Sequence, residues 1–168
     1  MKIDSLINSD FVSANLKGTS VSGCLYEMLI QLESVGVLTD KSKVLVELID
    51  REEQSSTVLL PEVAFPHIYC DDIQVPVISI GQSKKGIDFN SVYGEKIHCI
   101  FLILLPTESE YLWIFKELLV RLSQKETIGK IKNSFSPDEI AMHVKGVTPL
   151  QTNISIYKGK EIYNERAD

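Results

Sequence analysis

Two stretches near the start of the chain carry apolar residues every three or four positions, with polar residues between them. This spacing places the apolar side chains on one face of an α-helix. It predicts a first helix over 21–35 and a second helix over about 41–53. Ser20 and Asp40 directly precede these helices, and both residue types commonly cap a helix N-terminus.

Three further helices are predicted in the second half of the chain. The stretches 107–110 and 136–139 both have the spacing of a capping box, in which a Ser or Thr is followed three residues later by Glu. The first box predicts a helix that begins at Glu108, and the second predicts a helix over 137–145. A short helix over 126–133 lies between them.

Two apolar runs are too short for helices and are typical of strands. The run 97–105 is apolar almost throughout, which indicates a central strand covered on both faces. The run 63–65 leads into Pro66, which has no N–H to donate, and we expect the strand to end there. His67 would then be the first side chain beyond the strand, at the surface of the protein.

Weaker patterns complete the set of strands. The stretch 11–16 is a weak strand candidate, and the stretch 75–82 is predicted as a strand. Because Pro76 interrupts the latter, it is expected at the edge of a sheet. The polar stretch 83–93 is expected to form a loop.

The succession of elements predicts an α/β fold built of packed layers, since helices alternate with short strands. A chain of 168 residues fits one domain with a short appendage. We assign residues 1–147 to the domain and residues 148–168 to a C-terminal extension. The extension alternates polar and apolar residues around Lys158-Gly159, which indicates a hairpin or an added edge strand.

Composition excludes several classes of partner. The formal net charge is −6 and the isoelectric point is near 5.1, and no cluster of Lys and Arg forms a basic stripe, so no nucleic acid is expected to bind. No apolar run approaches the roughly 20 residues that cross a bilayer, and the first residues lack the pattern of a signal peptide. Three cysteines without paired spacing suggest neither a disulfide framework nor a zinc site, so we expect a cytoplasmic protein without membrane insertion.

Motifs for familiar cofactors are absent from the sequence. There is no phosphate-binding loop, no dinucleotide fingerprint, no paired-histidine zinc motif and no nucleophile elbow, and no cofactor is implied. His67 and Cys70, with two aspartates after them, could be proposed as metal ligands, but their spacing matches no recognised site. Of the other histidines, His98 lies in an apolar run and is read as structural, and His143 is read as solvated.

His67 itself is the remaining candidate for chemistry. A neutral imidazole keeps a free lone pair near neutral pH and can accept a phosphoryl group on nitrogen. Such a site needs an accessible ring, a cationic or N–H environment for the phosphate oxygens and an apolar rim for a docking protein. Arg51, at the end of the second predicted helix, is the nearest cationic candidate in the sequence.

The order of residues around His67 resembles a known family. Arg51-Glu52, then Ser56-Thr57, then Val63-Ala64-Phe65-Pro66-His67 resembles the signature of the fructose/mannitol-type (type 2) EIIA domains of the bacterial phosphotransferase system. The stretches 76–81 and 86–102 resemble the strands and loop that follow the active histidine in that family. The resemblance covers roughly residues 11–146.

The resemblance implies a phosphocarrier. In that family a histidine accepts phosphate from HPr or its nitrogen-branch relative, then passes it to an EIIB domain or uses its phosphorylation state to regulate other proteins. His67 matches the phosphorylated histidine, Arg51 the assisting arginine, and Thr57 a polar residue that lines the site. The implied fold is a mixed β-sheet sandwiched between helical layers, and the lack of attached domains resembles the stand-alone nitrogen-regulatory proteins.

Two departures from the family pattern keep an alternative open. Residues 58–62 contain no glycine, whereas the family usually has several there; Pro61 offers no N–H, and Glu62 adds negative charge that would repel phosphate unless it points away. Tyr111 stands where the family often has a second histidine, although its hydroxyl can still donate to a phosphate oxygen. The alternative function is therefore a regulatory binding module with the same fold and an impaired phosphorylation site.

Overall fold

The computed structural model describes residues 1–107 and 110–146 in full and the backbone of two strands in the tail, over 155–158 and 161–164. A short 3-10 helix (Ile3–Leu6) precedes the first strand. Within the described ranges, no helix combines the length and the apolar character that a membrane span requires.

Six strands and five helices make up the described domain. The strands are β1 (Ile7–Ser13), β2 (Val58–Leu60), β3 (Val63–Ala64), β4 (His67–Tyr69), β5 (Val77–Ile87) and β6 (Ile97–Leu105). The helices are α1 (Val21–Ser34), α2 (Lys41–Gln54), α3 (Leu112–Leu122), α4 (Lys125–Asn133) and α5 (Pro137–Lys145).

The strands form one mixed sheet in the order β1-β5-β6-β3-β2, and β4 pairs with β6 beyond β3. The pairs β1–β5, β3–β6 and β4–β6 are parallel, whereas β5–β6 and β2–β3 are antiparallel. This arrangement confirms the predicted α/β class with a mixed sheet.

Strand β6 is the centre of the sheet, as its apolar sequence predicts. Its side chains alternate between two buried clusters: Phe101 and Ile103 belong to one, and Ile100 and Leu102 to the other. The first cluster contains residues of α3, α4 and α5, and the second contains residues of α1 and α2. The sheet therefore lies between two helical layers, and burial on both faces is the main stabilising term for β6.

The prediction of β5 was wrong in its position and its length. The strand pairs with β1 on one side and β6 on the other, so it is central rather than an edge. Pro76 lies just before its first residue, where a missing N–H does not interrupt the ladder. The strand also continues to Ile87 through the predicted loop, with an irregularity in register where Gly86 adopts a φ of +74°.

Three of the predicted N-terminal helix caps are confirmed. The side chains of Ser20, Asp40 and Ser136 accept hydrogen bonds from the backbone N–H three residues later, which satisfies a donor that the helix leaves unpaired. Helix α3 begins at Leu112, beyond the predicted capping box, and the predicted start at Glu108 lies outside the described residues. Tyr111 occupies its N-cap position, and its side chain makes no capping hydrogen bond.

The remaining strand and tail predictions were close to the structure. The weak strand expected over 11–16 is β1, which begins four residues earlier. In the tail, β7 (Ser155–Lys158) and β8 (Glu161–Asn164) pair antiparallel with each other. The turn expected at Lys158-Gly159 falls partly outside the described residues, and the domain boundary at 147 stays a prediction.

Candidate functional site

His67 lies within a strand rather than beyond the end of one, which corrects the sequence-based expectation. After β3, the Pro66 carbonyl accepts a hydrogen bond from the Ile103 N–H at 2.9 Å, and β4 continues the parallel pairing, with His67 opposite Ile103. Pro66 interrupts the strand without ending the alignment along β6, because its carbonyl can still accept. His67 is consequently half-buried instead of fully exposed.

Two contacts fix the orientation of the His67 ring. Its Nδ1 lies 2.8 Å from the carbonyl oxygen of Phe65, and its ring meets the Phe115 ring edge-on, with centroids 4.8 Å apart and planes at 73°. A carbonyl oxygen only accepts hydrogen bonds, so Nδ1 carries the proton and donates. In the neutral ring, Nε2 therefore holds the free lone pair.

The surroundings of His67 favour the uncharged ring. Burial lowers the pKa of the imidazole most, the hydrogen bond to the Phe65 carbonyl raises it, the positive charge of Arg51 lowers it and the negative charge of Glu52 raises it; the net pKa lies below the ordinary 6.5. A lower pKa keeps Nε2 unprotonated at neutral pH, which is the state that a nucleophile requires.

We predict that His67 titrates below pH 6.5 in the folded protein. The unfolded chain then binds this proton more readily, so the stabilisation is complete above pH 6.5 and is lost as the pH falls from 6.5 to the folded pKa. Nitrogen-15 spectra of the ring measure the titration, and His67→Gln identifies the signal and should remove this part of the pH dependence. A midpoint at or above 6.5 would contradict the prediction.

The imidazole opens onto a surface cavity of about 910 Å³. Four elements enclose it: the second half of α2, strand β4, the end of β6 and the first turn of α3 with the residues before it. The lining residues are Glu47, Asp50, Arg51, Gln54, His67, Ile68, Tyr69, Leu105, Glu110, Tyr111, Leu112 and Phe115. The volume lies within the range of small-molecule sites, but its open position between two helices also suits a protruding protein surface.

Arg51 brings a positive charge to this cavity. It lies in the last turn of α2, and one guanidinium nitrogen, Nη1, donates to the Ser55 carbonyl at 3.0 Å. This bond uses one of five N–H donors and holds the side chain at the helix end. The remaining donors can bind the oxygens of an anion beside His67.

Tyr111 and the start of α3 form the opposite wall. Tyr111 lines the cavity at the N-cap position; its side chain makes no capping hydrogen bond, and its carbonyl accepts from the Ile114 N–H at 3.0 Å. A helix N-terminus carries partial positive charge and unpaired donors, so it attracts anions. The Tyr111 hydroxyl adds a further neutral donor on this side.

Thr57 is placed behind the site rather than in it. It is 2% exposed and does not line the cavity that His67, Arg51 and Tyr111 share. Its N–H donates to Oε1 of Glu52 at 3.0 Å, and its hydroxyl donates to Oε2 of the same carboxylate at 2.5 Å. The structure therefore brings together three of the four predicted site residues, and the fourth, Thr57, is buried against a half-buried carboxylate outside the cavity.

Glu62 does not direct its charge into the cavity. It lies in the turn between β2 and β3 with a φ of +65°, and its carboxylate binds the Lys132 ammonium and lies 4.0 Å from Nε2 of His98. A positive φ after Pro61 is the combination that a type II turn requires, and glycine is the usual residue there. The turn keeps that geometry without glycine, and the negative charge points towards α4.

A metal site at His67 finds no support in the geometry. Cys70 is buried and lines a separate small cavity with Asp71 and Asp72, and the Asp72 carboxylate accepts from the N–H and hydroxyl of Thr39. Across residues 1–107 and 110–146, no three His, Cys, Asp or Glu side chains converge as metal ligands would. His98 donates from Nδ1 to the Ser83 carbonyl at 2.8 Å, which accords with a structural role.

Several residues of the site were not singled out in the sequence. Glu47, Asp50 and Gln54 share the cavity face of α2 with Arg51, and their spacing of three and four residues is a signal that could have found them. Phe115 follows Tyr111 by one helical turn, which also indicates a shared face. The hydrogen bonds between Glu52, in α2, and Thr57, in the connection to β2, have no signature in the local sequence.

Several solved structures share this fold. The nitrogen regulatory protein IIA-Ntr from Neisseria meningitidis superposes with a TM-score of 0.76 at 21% identity, covering 85% of this chain and 99% of that one. Mannitol-specific enzyme IIA from Escherichia coli, in its complex with phosphorylated enzyme IIB, gives 0.69 at 16% identity, covering 83% and 97%. At such identities the likeness shows the fold alone.

Sequence comparison identifies the family. The fructose-specific EIIABC component of Bacillus subtilis (strain 168) is 28% identical over 142 residues, which are 83% of this chain; the chain spans only 22% of that protein's length. The family model described as "Phosphoenolpyruvate-dependent sugar phosphotransferase system, EIIA 2" matches residues 5–146. This match covers most of the chain, which therefore belongs to the EIIA type 2 family of the phosphoenolpyruvate-dependent sugar phosphotransferase system.

Proposed function

We propose that this protein is a phosphocarrier that accepts a phosphoryl group on Nε2 of His67 and passes it to a second protein. The observation that carries this proposal is the bond from His67 Nδ1 to the Phe65 carbonyl. It leaves the Nε2 lone pair for a cavity that also contains Arg51 and the N-terminus of α3. A nucleophile and anion-binding groups are thus assembled in one place.

The proposed step conserves its atoms and charge. The Nε2 lone pair attacks phosphorus, a nitrogen–phosphorus bond forms, and the bond from phosphorus to the donor's leaving atom breaks and returns its electron pair to the donor. Arg51 and the N–H groups of α3 stabilise the charge on the transferring phosphoryl oxygens. The hydrogen bond from Nδ1 to the Phe65 carbonyl holds the ring while positive charge develops on it. In the onward transfer, a nucleophile of the acceptor attacks phosphorus, the nitrogen–phosphorus bond breaks, and its electron pair returns to Nε2.

The surface around His67 favours protein partners. Exposed Tyr69 and Leu112 supply apolar contact area, and Glu47, Asp50 and Glu110 give the rim a negative charge. A donor or acceptor with a positively charged docking face would associate fastest with such a rim. We assign the donor role to an HPr-like protein, and the acceptor role to an EIIB domain or a regulatory target.

A regulatory role in the cytoplasm of a bacterium is the form of this function that we favour. The superposition on a nitrogen regulatory protein motivates it. Enzymatic activity then consists of phosphotransfer through a phosphohistidine intermediate. The rival function, a binding module with an impaired site, rests on the glycine-free stretch 58–62 and on Tyr111. The contact of the Glu62 carboxylate with Lys132 weakens the first ground, because it directs the negative charge away from the phosphate.

Intact-mass analysis tests the proposal. We expect that the protein, incubated with enzyme I, an HPr-like protein and phosphoenolpyruvate, gains one phosphate that acid removes, because phosphoramidates are acid-labile. His67→Ala should abolish the gain, whereas His143→Ala on the distant helix α5 should not. Labelling that survives His67→Ala would overturn the assignment of the acceptor, and no labelling with any donor would favour the binding module.

A further inference from the structure

A carboxylate outside the cavity joins the end of α2, which supplies Arg51, to the segment that leads into β2. Glu52 follows Arg51 in the last turn of α2, and both of its oxygens bind Thr57: Oε1 accepts the N–H at 3.0 Å and Oε2 accepts the hydroxyl at 2.5 Å. Thr57 is buried directly before β2. A charged acceptor that binds two donors of one buried residue is a strong and geometrically restrictive contact.

The same residues continue towards the imidazole. The Thr57 carbonyl accepts from the Phe65 N–H at 3.0 Å, and the Phe65 carbonyl accepts from His67 Nδ1 at 2.8 Å. Three consecutive hydrogen-bonded steps therefore connect the Glu52 carboxylate to the nucleophilic ring. At least one main-chain group takes part in each step, and these groups have little freedom to rearrange once the strands are paired.

We propose that Glu52 is a positioning residue: its two hydrogen bonds to Thr57 hold the end of α2 against the strands and so fix the position of Arg51 relative to the His67 ring. This inference rests on the proposed phosphocarrier function. Glu52 does not line the cavity and would not touch the phosphoryl group. In metal sites, removing a residue that orients a ligand without touching the metal commonly lowers affinity or activity by about 10- to 100-fold. We expect a loss of transfer rate near the lower end of that range here.

The negative charge of Glu52 also affects the pKa of His67, and this effect can be separated from the hydrogen bonds that Glu52 accepts from Thr57. Burial lowers the pKa of His67 most, and the Glu52 charge acts in the opposite direction by raising it. Glu52→Gln removes the charge but keeps a carbonyl oxygen for the Thr57 N–H and an amide for its hydroxyl. Thr57→Val keeps the charge and the shape of the side chain but removes the hydroxyl that Glu52 binds.

Two readouts test the inference, and one does not depend on a donor protein. Nitrogen-15 spectra report which ring nitrogen of His67 carries the proton and at what pH the ring titrates. We expect Glu52→Ala to shift the ring from almost wholly Nδ1–H to a mixture of the two tautomers and to slow phosphorylation by about tenfold. Donor KM should change less than kcat, because the docking rim is intact.

The variants form a matched series. Glu53→Gln alters the neighbouring exposed carboxylate on the same helical turn and should leave both readouts unchanged. Thr57→Ser retains the hydroxyl and should behave as the native protein. Thr57→Val should follow Glu52→Ala in the tautomer and the transfer rate but not in the effect of the lost charge on the titration midpoint, because the Glu52 charge remains. Glu52→Gln should keep the tautomer and lower the titration midpoint further, and it remains informative if Glu52→Ala folds poorly.

The failure of this inference is distinct from the failure of the proposed function. If Glu52→Ala and Thr57→Val keep the native tautomer, titration and transfer rate, Glu52 has no positioning role. If the native protein accepts no phosphate, the phosphocarrier function fails, and the tautomer alone then decides whether Glu52 orients the ring. A loss of transfer that tracks only the unfolded fraction would also overturn the inference.

Discussion

Arg51→Ala is expected to slow phosphorylation of His67 by about 100-fold or more while leaving the protein folded. Removing one preorganised donor from the oxygens of a developing anion typically costs about 10²- to 10³-fold in rate. Arg51 is the one Lys or Arg among the residues that line the described cavity. Its side chain is half-exposed at the end of α2, so its loss leaves no buried cavity.

The substitution should also change the nucleophile in a measurable way. Burial is the main reason that the pKa of His67 is low, and the positive charge of Arg51 lowers it further. Arg51→Ala should therefore raise the titration midpoint of the ring. A slower reaction with a more basic ring would show that the lost rate comes from the phosphoryl oxygens and not from the nucleophile.

Matched variants define the outcome for Arg51. Arg51→Lys keeps the charge but loses the planar donor geometry, and we expect it to recover only part of the rate. Lys43→Ala removes a positive charge from the first turn of the same helix and should leave the rate unchanged. Quenched-flow transfer from the phosphorylated donor measures each rate; native speed in Arg51→Ala would refute the role assigned to Arg51.

Sequence periodicity predicted best those elements whose apolar pattern matches the way in which they are buried. Helices α1 and α2 repeat apolar residues over 14 positions and carry side-chain caps, so local and tertiary preferences agree. Strand β6 is apolar almost throughout because both of its faces are covered. Strand β5 was misplaced because proline was read as part of the strand, and because its polar end continues pairing beyond Gln82.

The candidate site was predictable only in part. The residue pattern singled out His67 and Arg51, the resemblance matched both to positions of the family signature, and the structure places both on one cavity. The direction of Glu62 could not be read from the sequence, because the partner that attracts its carboxylate is Lys132, 70 residues later. The ring contact between His67 and Phe115 likewise joins two elements that are distant in sequence.

Gly18→Ala is expected to destabilise the fold by about 3 kcal/mol, near the upper end of the usual cost of overpacking. A Cβ at this position would lie 2.6 Å from the backbone nitrogen of Cys24 and 2.7 Å from the carbonyl carbon of Gly23. Neither atom can move without displacing the start of α1. The N–H groups of Lys17 and Gly18 also donate to the Glu27 carboxylate, so a shift of the loop would weaken these bonds.

The same substitution elsewhere provides the control. Gly129 lies inside α4, where an added Cβ would meet nothing within 4 Å, so Gly129→Ala should stabilise the protein by about 0.5–1 kcal/mol through helix propensity. Urea unfolding curves measure both changes, and an unchanged slope with urea would show that the denatured state is the same. If Gly18→Ala unfolds at the native midpoint, the contact between this loop and α1 is looser than described. If it unfolds early but the folded fraction still accepts phosphate at the native rate, the loop supports the fold and not the His67 site.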